Sequence, residues 1–407
     1  MHRFCHWILV GFLLCTSPTY LSAQSLSLFI QPPSNTKKDT QAQLWVEGVV
    51  SDTLRKRMGQ LSNKLGEIPA AKQAQQRQAM LAFKIGKKAF EELNPDLSFR
   101  KFQQTLRLFR QIAPYANQIE TLCRALLYIG VGHLLNGQQA NGQKSFEEAL
   151  SYCPNMTLSG ITTENDKLQI FRAAQSTMRR TPRGRLKFTA NIPANVFIDG
   201  RYRGQTPLTL SLRKGNHIVS IRRAGYVRWG KILNVTQATT QTLNAKLKKV
   251  STFQKWLALG TSATRHVRKT DNVHSSVSAF AKWASSSTLM LLHVSTLQDD
   301  VIVHAALYDM RKKKQLAAGG ARVEQGTGAV GLRSMVKQLL AGQDPAIGTW
   351  NPGLAAPSIS GSGPNVGLIV GVAAGAVVVI GGVTAAIMLA SPPTCPSGAC
   401  AQIKLIP

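Results

Sequence analysis

The sequence predicts a multidomain α+β protein with one C-terminal transmembrane helix. Three observations indicate this class. The chain has 407 residues, more than a single core usually spans. Its apolar residues recur at helical spacing between about 66 and 180 and with a period of two from Gly184 to Lys248, and an uncharged apolar run lies near the C-terminus. We therefore expect a helical-repeat domain, a small antiparallel β-sandwich, a small α/β domain and a membrane span.

Residues 1–23 have the features of an export signal. A basic start at Arg3 leads into an apolar run from Phe4 to Cys15, and the stretch "SPTYLSA" up to Ala23 has Leu21 where a smaller residue is usual. Cleavage after Ala23 would leave residues 24–65 as an N-terminal strand and helix. A buried N-terminal helix is the alternative interpretation of the same residues.

The apolar run of residues 366–390 predicts a membrane span. It has 25 uncharged residues, and a bilayer core requires about 20. Gly367, Gly371 and Gly375 recur every four residues, a pattern that allows close helix association, so the span could support a homodimer. A Gly- and Pro-rich linker, 342–365, precedes the span and a short tail, 391–407, follows it. Export and a late span together place residues 24–365 outside the cytoplasm.

An internal echo with an offset of 44 residues indicates paired helices in residues 66–182. Gly86 and Gly130 correspond to each other, and Phe102 corresponds to Phe146. In such pairs a small residue lets two helices approach, and an aromatic ring fills the space between them. The second unit resembles a tetratricopeptide repeat at Leu126, Ile129, Gly130, Gly142, Phe146, Ala149 and Pro154.

Two departures distinguish these units from that family. His133 replaces the usual tyrosine, and the offset exceeds the family's roughly 34 residues. Two units are fewer than a stack normally needs, so we expect the helix from about Asn165 to Arg180 to act as a cap. The resemblance implies a concave surface for an unknown protein partner, and a plain helical spacer is the alternative.

Residues 183–250 alternate between apolar and polar side chains and are interrupted by turn residues, which predicts short strands. Glycine permits the positive φ of tight turns, and proline withholds a backbone donor, so each interruption ends a strand. The segment resembles a PEGA domain at Pro193, Asp199, Gly200, Gly204, Thr206, Pro207, Gly215, His217, Gly225 and Tyr226. The resemblance implies a non-catalytic sandwich on the outer side of a bacterial membrane, often joined to helical repeats.

The sandwich segment is strongly basic. Residues 183–249 contain 14 Lys and Arg and a single acidic residue, Asp199. We predict a polyanion-binding surface at the basic residues expected in turns and at strand ends, namely Arg201, Arg203, Arg213, Lys214, Arg222, Arg223, Arg228 and Lys231. Arginine binds phosphate and carboxylate through its planar fork, so an anionic envelope polymer is one ligand. A solvated basic face is the alternative.

Three aromatic residues lie among these charges and would also suit a nucleic acid. Tyr202, Tyr226 and Trp229 could stack on bases. Export argues against this ligand, because nucleic acid is not the usual polyanion outside the cytoplasm.

Residues 251–341 predict a small α/β domain. Two strands are expected on either side of a polar turn at Gln298–Asp300, with helices near Val277–Ser285 and Val330–Leu340. The order resembles part of the α/β domains of bacterial envelope-assembly lipoproteins. The N-terminal stretch "LSLFIQ" and the helix after it could supply a missing strand, with the repeats and the sandwich inserted between.

The cysteines predict one cross-link. Cys123 and Cys153 lie at the two ends of a predicted helix pair and could form a disulfide in an oxidising compartment. Cys395 and Cys400 lack the further Cys or His residues of a metal site.

We expect no catalytic, cofactor-binding or metal-binding residues. The sequence contains no nucleophile elbow, phosphate loop or paired-histidine spacing. The leading hypothesis is a non-enzymatic scaffold anchored by a single span in a bacterial inner membrane, with most of the chain in the periplasm, that binds a protein partner and a surface polymer. The alternatives are a component of an export or surface-assembly system, and a cytosolic tail-anchored nucleic-acid-binding protein.

Overall fold

The computed structural model of the protein describes residues 26–31, 36–54, 67–116, 118–236, 240–267, 270, 272–298, 300–324 and 328–345, and the backbone of four residues near the C-terminus. The described residues up to 345 belong to one compact unit. Helices and sheets alternate along this unit, which agrees with the predicted multidomain α+β class. The export signal of residues 1–23 lies outside the described residues.

The N-terminal segment forms strand β1 (Leu26–Ile30) and helix α1 (Lys37–Thr53). The Thr36 side chain accepts a hydrogen bond from the backbone N–H of Asp39 at 3.1 Å, which caps the start of α1. Residues 42 to 50 of this helix are all buried, so α1 is covered on every side rather than along one stripe. It is a central element of the molecule.

A helical domain follows. It contains α2 (Ala70–Glu91), α3 (Pro95–Ile112), a 3-10 turn (Ala113–Tyr115), α4 (Ile119–Leu135), α5 (Gln139–Tyr152) and α6 (Asn165–Arg180). The two pairs α2–α3 and α4–α5 make equivalent contacts. A Cβ atom on Gly86 would lie 3.1 Å from the Phe102 ring, and one on Gly130 would lie 2.4 Å from the Phe146 ring. Small residues therefore admit these rings, as the sequence echo predicts.

Two further contacts close the helical domain. Phe171 of α6 packs on Phe146, with ring centroids 5.3 Å apart, so α6 covers the open side of the second pair. Cys123 of α4 and Cys153, just after α5, form a disulfide with a Cα–Cα distance of 6.3 Å.

The described residues of the sandwich form seven strands: β2 (Arg183–Ala190), β3 (Asn195–Ile198), β4 (Arg201–Gln205), β5 (Leu208–Arg213), β6 (Gly215–Arg222), β7 (Trp229–Val235) and β8 (Gln241–Ala245). They form a three-stranded sheet, β5-β2-β8, and a four-stranded sheet, β4-β3-β6-β7. The prediction of an antiparallel sandwich is wrong for one pair, because β8 runs parallel to β2. The chain crosses from the second sheet to the first before β8, so no hairpin turn imposes an antiparallel direction.

The last part of the unit forms an α/β domain. Its elements are α7 (Phe253–Thr264), α8 (Ser275–Ala284), β9 (Thr288–Leu297), β10 (Asp300–Asp309), β11 (Lys314–Glu324) and α9 (Ala329–Leu340). The sequence prediction missed α7 and β11. The centre of β11 consists of alanine and glycine, which carry little β-propensity, and Gly320 lies so close to β10 that a Cβ atom would be 2.7 Å from the Val303 carbonyl oxygen.

Strand β1 completes the sheet of this domain. The order is β1-β9-β10-β11, and β1 pairs parallel with β9 from Leu26 opposite Thr288 to Ile30 opposite Leu292. Helices α1 and α9 cover one face, and α7 and α8 cover the other. The Phe29 ring is buried between Trp256 and Phe280, at centroid distances of 4.9 and 5.3 Å. The helical domain and the sandwich are therefore inserted between two halves of one α/β domain.

Near the C-terminus the structure describes only Val372–Ala373 (β12) and Ala376–Val377 (β13), which pair antiparallel. The rest of the predicted span, including Gly367, Gly371 and Gly375, lies outside the described residues. These four residues are strands where the sequence predicts helix. Across the described ranges, no helix combines the length and apolar character needed to cross a membrane.

Candidate functional site

The sandwich is held between the other two parts of the unit. Toward the α/β domain, Tyr202 of β4 packs against Gly48 of α1, where a Cβ atom would lie 2.3 Å from the ring, and the Gln205 side chain donates to the Gln41 carbonyl at 2.8 Å. Toward the helical domain, Ile218 of β6 is buried within the helical core. The sandwich thus packs directly against both neighbouring domains.

Buried charges join the sandwich to α1 and to the segment before α2. The Glu47 carboxylate accepts a hydrogen bond from the Ala224 N–H at 3.0 Å, and the Glu67 carboxylate accepts one from the Gly225 N–H at 3.0 Å. Glu47 and Arg228 are each 8% exposed. This glutamate–arginine cluster, comprising Glu47, Glu67, Arg222, Arg223 and Arg228, lies at one end of the sandwich.

Burial alters the acidity of the cluster. It raises the pKa of Glu47 to about 8, and the neighbouring Glu67 carboxylate adds to the rise, while the arginines oppose it. Burial also raises the pKa of Glu67 and lowers the pKa of the Arg222 and Arg228 guanidinium groups. Near pH 7 the cluster therefore holds a proton that an exposed glutamate would release.

Three members of the predicted polyanion-binding set belong to this cluster. Arg228 is buried, and Arg222 lies over the Phe197 ring at 4.3 Å while its Nε donates to Ser220 Oγ at 2.9 Å. Arg223 donates to the Pro193 carbonyl at 2.9 Å. Arg228 is thus buried and Arg222 and Arg223 are half-buried, and all three lie close to Glu47 or Glu67.

The other five predicted residues are distributed over the sandwich. Four of them are exposed: Arg201 and Arg203 of β4, Lys214 between β5 and β6, and Lys231 of β7. Arg213 of β5 is partly buried. They do not form one continuous patch, because β4 and β7 are opposite edges of the four-stranded sheet.

The only acidic residue of the sandwich segment is also buried. Asp199 Oδ2 lies 2.7 Å from His217 Nδ1, and Asp199 Oδ1 accepts a hydrogen bond from the Ile218 N–H at 2.9 Å. The other ring nitrogen, Nε2, donates to the Arg213 carbonyl at 2.9 Å. Burial lowers the pKa of His217, but the bond to Asp199 outweighs it and the pKa is raised. The pair fixes the β3–β4 turn to β6 and leaves no carboxylate on the exposed surface of the segment.

A basic row that the sequence prediction overlooked lies on the outer face of the sheet β5-β2-β8. Arg183, Arg185 and Lys187 of β2 are exposed and alternate with buried Gly184, Leu186 and Phe188. The polar neighbours Ser211 and Thr209 of β5 lie opposite Arg185 and Lys187. We call Arg183, Arg185 and Lys187 the β2 row. Its signal in the sequence is the spacing R-x-R-x-K within a strand, whereas the prediction concentrated on turns.

A small cleft adjoins one end of this face. It has a volume of about 170 Å³ and is lined by Leu150, Pro154, Asn155, Gln175, Met178, Arg179 and Arg213. Arg213 lies directly opposite Arg183 on the neighbouring strand. Arg179 and Arg213 thus line a partly enclosed space beside the β2 row.

The three aromatic residues considered for base stacking are used in packing. Tyr202 contacts α1, Tyr226 packs on Phe253 with centroids 5.7 Å apart, and Trp229 lies against the sandwich core. Within the part of the chain that the structure describes, no group of three or more His, Cys, Asp or Glu side chains is arranged to hold a metal ion.

Comparison with known proteins identifies one part of the chain. Residues 190–251 match the PEGA domain family, so the sandwich contains a PEGA domain. The match begins at residue 190, at the last position of β2, and the β2 row precedes it. No protein of curated function and no solved structure is significantly similar to the chain.

Proposed function

We propose that this protein is a non-enzymatic scaffold of the bacterial cell envelope that binds an anionic surface polymer through its PEGA sandwich and a protein partner through its helical repeats. The observation that carries the proposal is the charge of the sandwich. Its exposed charged groups are basic, while its one carboxylate is buried against His217. A surface of one sign attracts polymers of the opposite sign.

The fixed position of the sandwich supports a scaffold. Contacts to α1 and to the helical domain hold it on two sides, so a polymer bound to it would stand at a defined place relative to a partner bound elsewhere. The proposed anchor is a single span at the bacterial inner membrane, which could also form a homodimer, with the described unit on the periplasmic side.

An apolar strip on α2 supports a protein partner for the helical domain. Leu81 and Ile85 lie one turn apart and are 59% and 36% exposed. Side chains four residues apart share one face of a helix, so the two form a continuous apolar contact surface.

A second candidate is a component of an export or surface-assembly system. The observation that favours it is the four-stranded sheet β1-β9-β10-β11, which helices cover on both faces to form an α/β domain. In that case the α/β domain would provide the main contacts, and polyanion binding by the sandwich would be absent.

Cosedimentation with cell-wall material tests the first candidate. The full-length protein, in neutral detergent, is incubated with peptidoglycan that retains its anionic polymers and with peptidoglycan from which they have been removed. We expect sedimentation only with the untreated material, and a decrease as salt is raised from 50 to 200 mM, on the order of tenfold or more, because the contacts are ionic. Equal sedimentation with both materials, or with neither, would contradict the proposal.

A reporter fusion tests the location separately. A reporter active only outside the cytoplasm is fused after residue 250 and, in a second strain, at the C-terminus. Activity of the first fusion and silence of the second are expected. A silent first fusion would place the sandwich in the cytoplasm and would favour a nucleic acid as its ligand.

A further inference from the structure

We infer that the outer face of the sheet β5-β2-β8 is a binding track for a hydroxyl-rich polymer that carries phosphates in succession, such as a polyol or sugar phosphate chain. The inference rests on the proposed function and specifies its ligand and its site. The site is the β2 row and its neighbours, and not the turn residues that the sequence predicts.

The β2 row has a regular spacing. Alternate residues of a strand project from the same face and recur every 6.4 to 6.8 Å or so. Arg183, Arg185 and Lys187 therefore form a straight line of three cations over about 13 Å. A flexible chain with a phosphate at each repeat can lie along such a line and place one phosphate at each cation.

The positive charges of the β2 row are not offset by carboxylates in the described part of the chain. Within the described ranges, no carboxylate forms a salt bridge with any residue of the β2 row. Arg183 and Arg213 also lie directly opposite each other on neighbouring strands, and like charges in this arrangement destabilise a sheet. A bound anion would remove this repulsion, so the arrangement favours a ligand over a purely solvated surface.

The neighbours of the β2 row determine the class of polymer. Ser211 and Thr209 line one side, and Thr242 lies beside Lys187 on the other. Their exposed hydroxyl groups can bond to phosphate oxygens and to hydroxyl groups of a polyol or sugar. The residues that alternate onto this face of β2, β5 and β8 include no aromatic ring, whereas single-stranded nucleic acids are held largely by stacking on such rings. A polyol or sugar phosphate therefore suits the face better than a nucleic acid.

The cleft extends the track at its Arg213 end. Its volume of about 170 Å³ accommodates a phosphate group, and Arg179 and Arg213 provide the charge while Asn155 and Gln175 provide neutral hydrogen-bonding groups. Because Arg213 is opposite Arg183, a chain that follows the β2 row leads into this cleft.

Two triple variants with the same change of charge test the site. The first replaces the β2 row by Arg183→Gln, Arg185→Gln and Lys187→Gln. The control carries Arg201→Gln, Arg203→Gln and Lys231→Gln, which removes two exposed arginines and one exposed lysine from the edge strands of the other sheet. Both sets are exposed, and thermal unfolding verifies that each variant folds. Binding of the full-length protein to poly(glycerol phosphate) is measured at several salt concentrations.

We expect the β2 row variant to bind at least about tenfold more weakly than the unmodified protein, because it loses three ionic contacts. The slope of log K against log salt concentration should become shallower by about 2, since each lost ionic contact contributes roughly 0.7 to that slope. The control should bind within about twofold of the unmodified protein, because it retains the track and loses only distant charge.

The outcomes separate the site from the function. If the unmodified protein binds and both variants weaken equally, the track is wrong and general polyanion binding remains. If the unmodified protein does not bind poly(glycerol phosphate) or untreated peptidoglycan, both proposals are wrong. Tighter binding to oligothymidylate than to poly(glycerol phosphate), with the same loss in the β2 row variant, would overturn the ligand class and favour a nucleic acid.

Discussion

Glu47 lies where helix α1 meets the sandwich, and its carboxyl group links the stability of that contact to pH. Because burial raises its pKa to about 8 in the folded protein, the group remains protonated at a pH where it would be ionised in the unfolded chain. The folded state thus binds one more proton than the unfolded state between about pH 4.5 and pH 8. Stability from this group is complete at low pH and is lost as the pH rises through that interval.

The variant Glu47→Gln should remove this dependence on pH. We expect the free energy of unfolding of the wild type to fall, through this group, by up to about 1.4 kcal/mol per pH unit between pH 5 and 8, while the amide of the variant does not titrate. The variant should therefore gain relative to the wild type as the pH rises. Urea unfolding of both full-length proteins at pH 5, 6, 7, 8 and 9 measures the difference.

The control for this experiment is Glu92→Gln, whose side chain lies just after α2 and is 59% exposed. Its unfolding free energy should follow the wild type at every pH, within the few tenths of a kcal/mol usual for surface changes. Parallel curves for the wild type and Glu47→Gln would show that Glu47 does not hold the extra proton.

At the residue scale, the sequence predicted the basic character of the sandwich but not which arginines reach solvent. Arg222 and Arg228 lie beside Glu47 and Glu67. These glutamates bond to the sandwich across sequence separations of 177 and 158 residues. No local pattern reports such a separation. The β2 row, by contrast, follows from strand alternation alone and was within reach of the sequence.

Helix α1 depends on a glycine for its contact with the sandwich. Gly48 is in the middle of α1, where alanine would ordinarily stabilise a helix by about 0.5 to 1 kcal/mol. Here a Cβ atom would lie 2.3 Å from the Tyr202 ring, and that ring cannot retreat without leaving its place between α1 and β3. A methyl group at position 48 would therefore stabilise the helix through its propensity and destabilise the protein through the clash with the ring.

We expect the variant Gly48→Ala to destabilise the protein by about 1 to 3 kcal/mol, since overpacking outweighs the gain in helix propensity. In a Tyr202→Ala background the same change should cost much less or become stabilising, because the ring is gone. Chemical unfolding of the two single variants and the double variant measures this coupling. Additive effects would mean that the contact between α1 and β4 is not close in solution.

At the element scale, periodicity predicted elements that bury one regular face and failed where small residues dominate. The Gly86–Phe102 and Gly130–Phe146 contacts follow from the repeated spacing in the sequence. Strand β11 was missed because the alanine and glycine residues at its centre carry little β-propensity, although its alanines are buried in the core and Gly320 packs closely against β10. The parallel pair β2–β8 was missed since a period of two does not report strand direction.

The α/β domain requires both ends of the unit. The buried Phe29 ring fills the space beside α7, where a Cβ atom on Gly260 would lie 2.0 Å from it, and α1 supplies much of the core on the other face. Residues 251–345 alone would leave both the β9 edge and these two core regions open to water. Such exposure is incompatible with a stable small domain.

A fragment of residues 251–345 should therefore fail to show cooperative thermal unfolding by circular dichroism. The same fragment with residues 24–54 attached at its N-terminus through a Gly/Ser linker should unfold cooperatively, because β1 and α1 return to their places. The same fusion protein with Phe29→Ser serves as the control. It should be less stable by several kcal/mol, since it buries a hydroxyl group in place of a ring. Cooperative unfolding of 251–345 alone would contradict the shared domain.

The separation of β1 from β9 also determines when this sheet can form during protein synthesis. Gln31, just after β1, bonds to His293, which is 262 residues later in the chain. At 5 to 20 residues per second, a ribosome needs on the order of 10 to 50 seconds to make that stretch. The inserted helices and the PEGA sandwich are complete well before β9 emerges, so the first strand made waits, apolar and unpaired, for one of the last. Until β9 is made, the edge of β1 and the Phe29 ring have no place in this sheet to occupy.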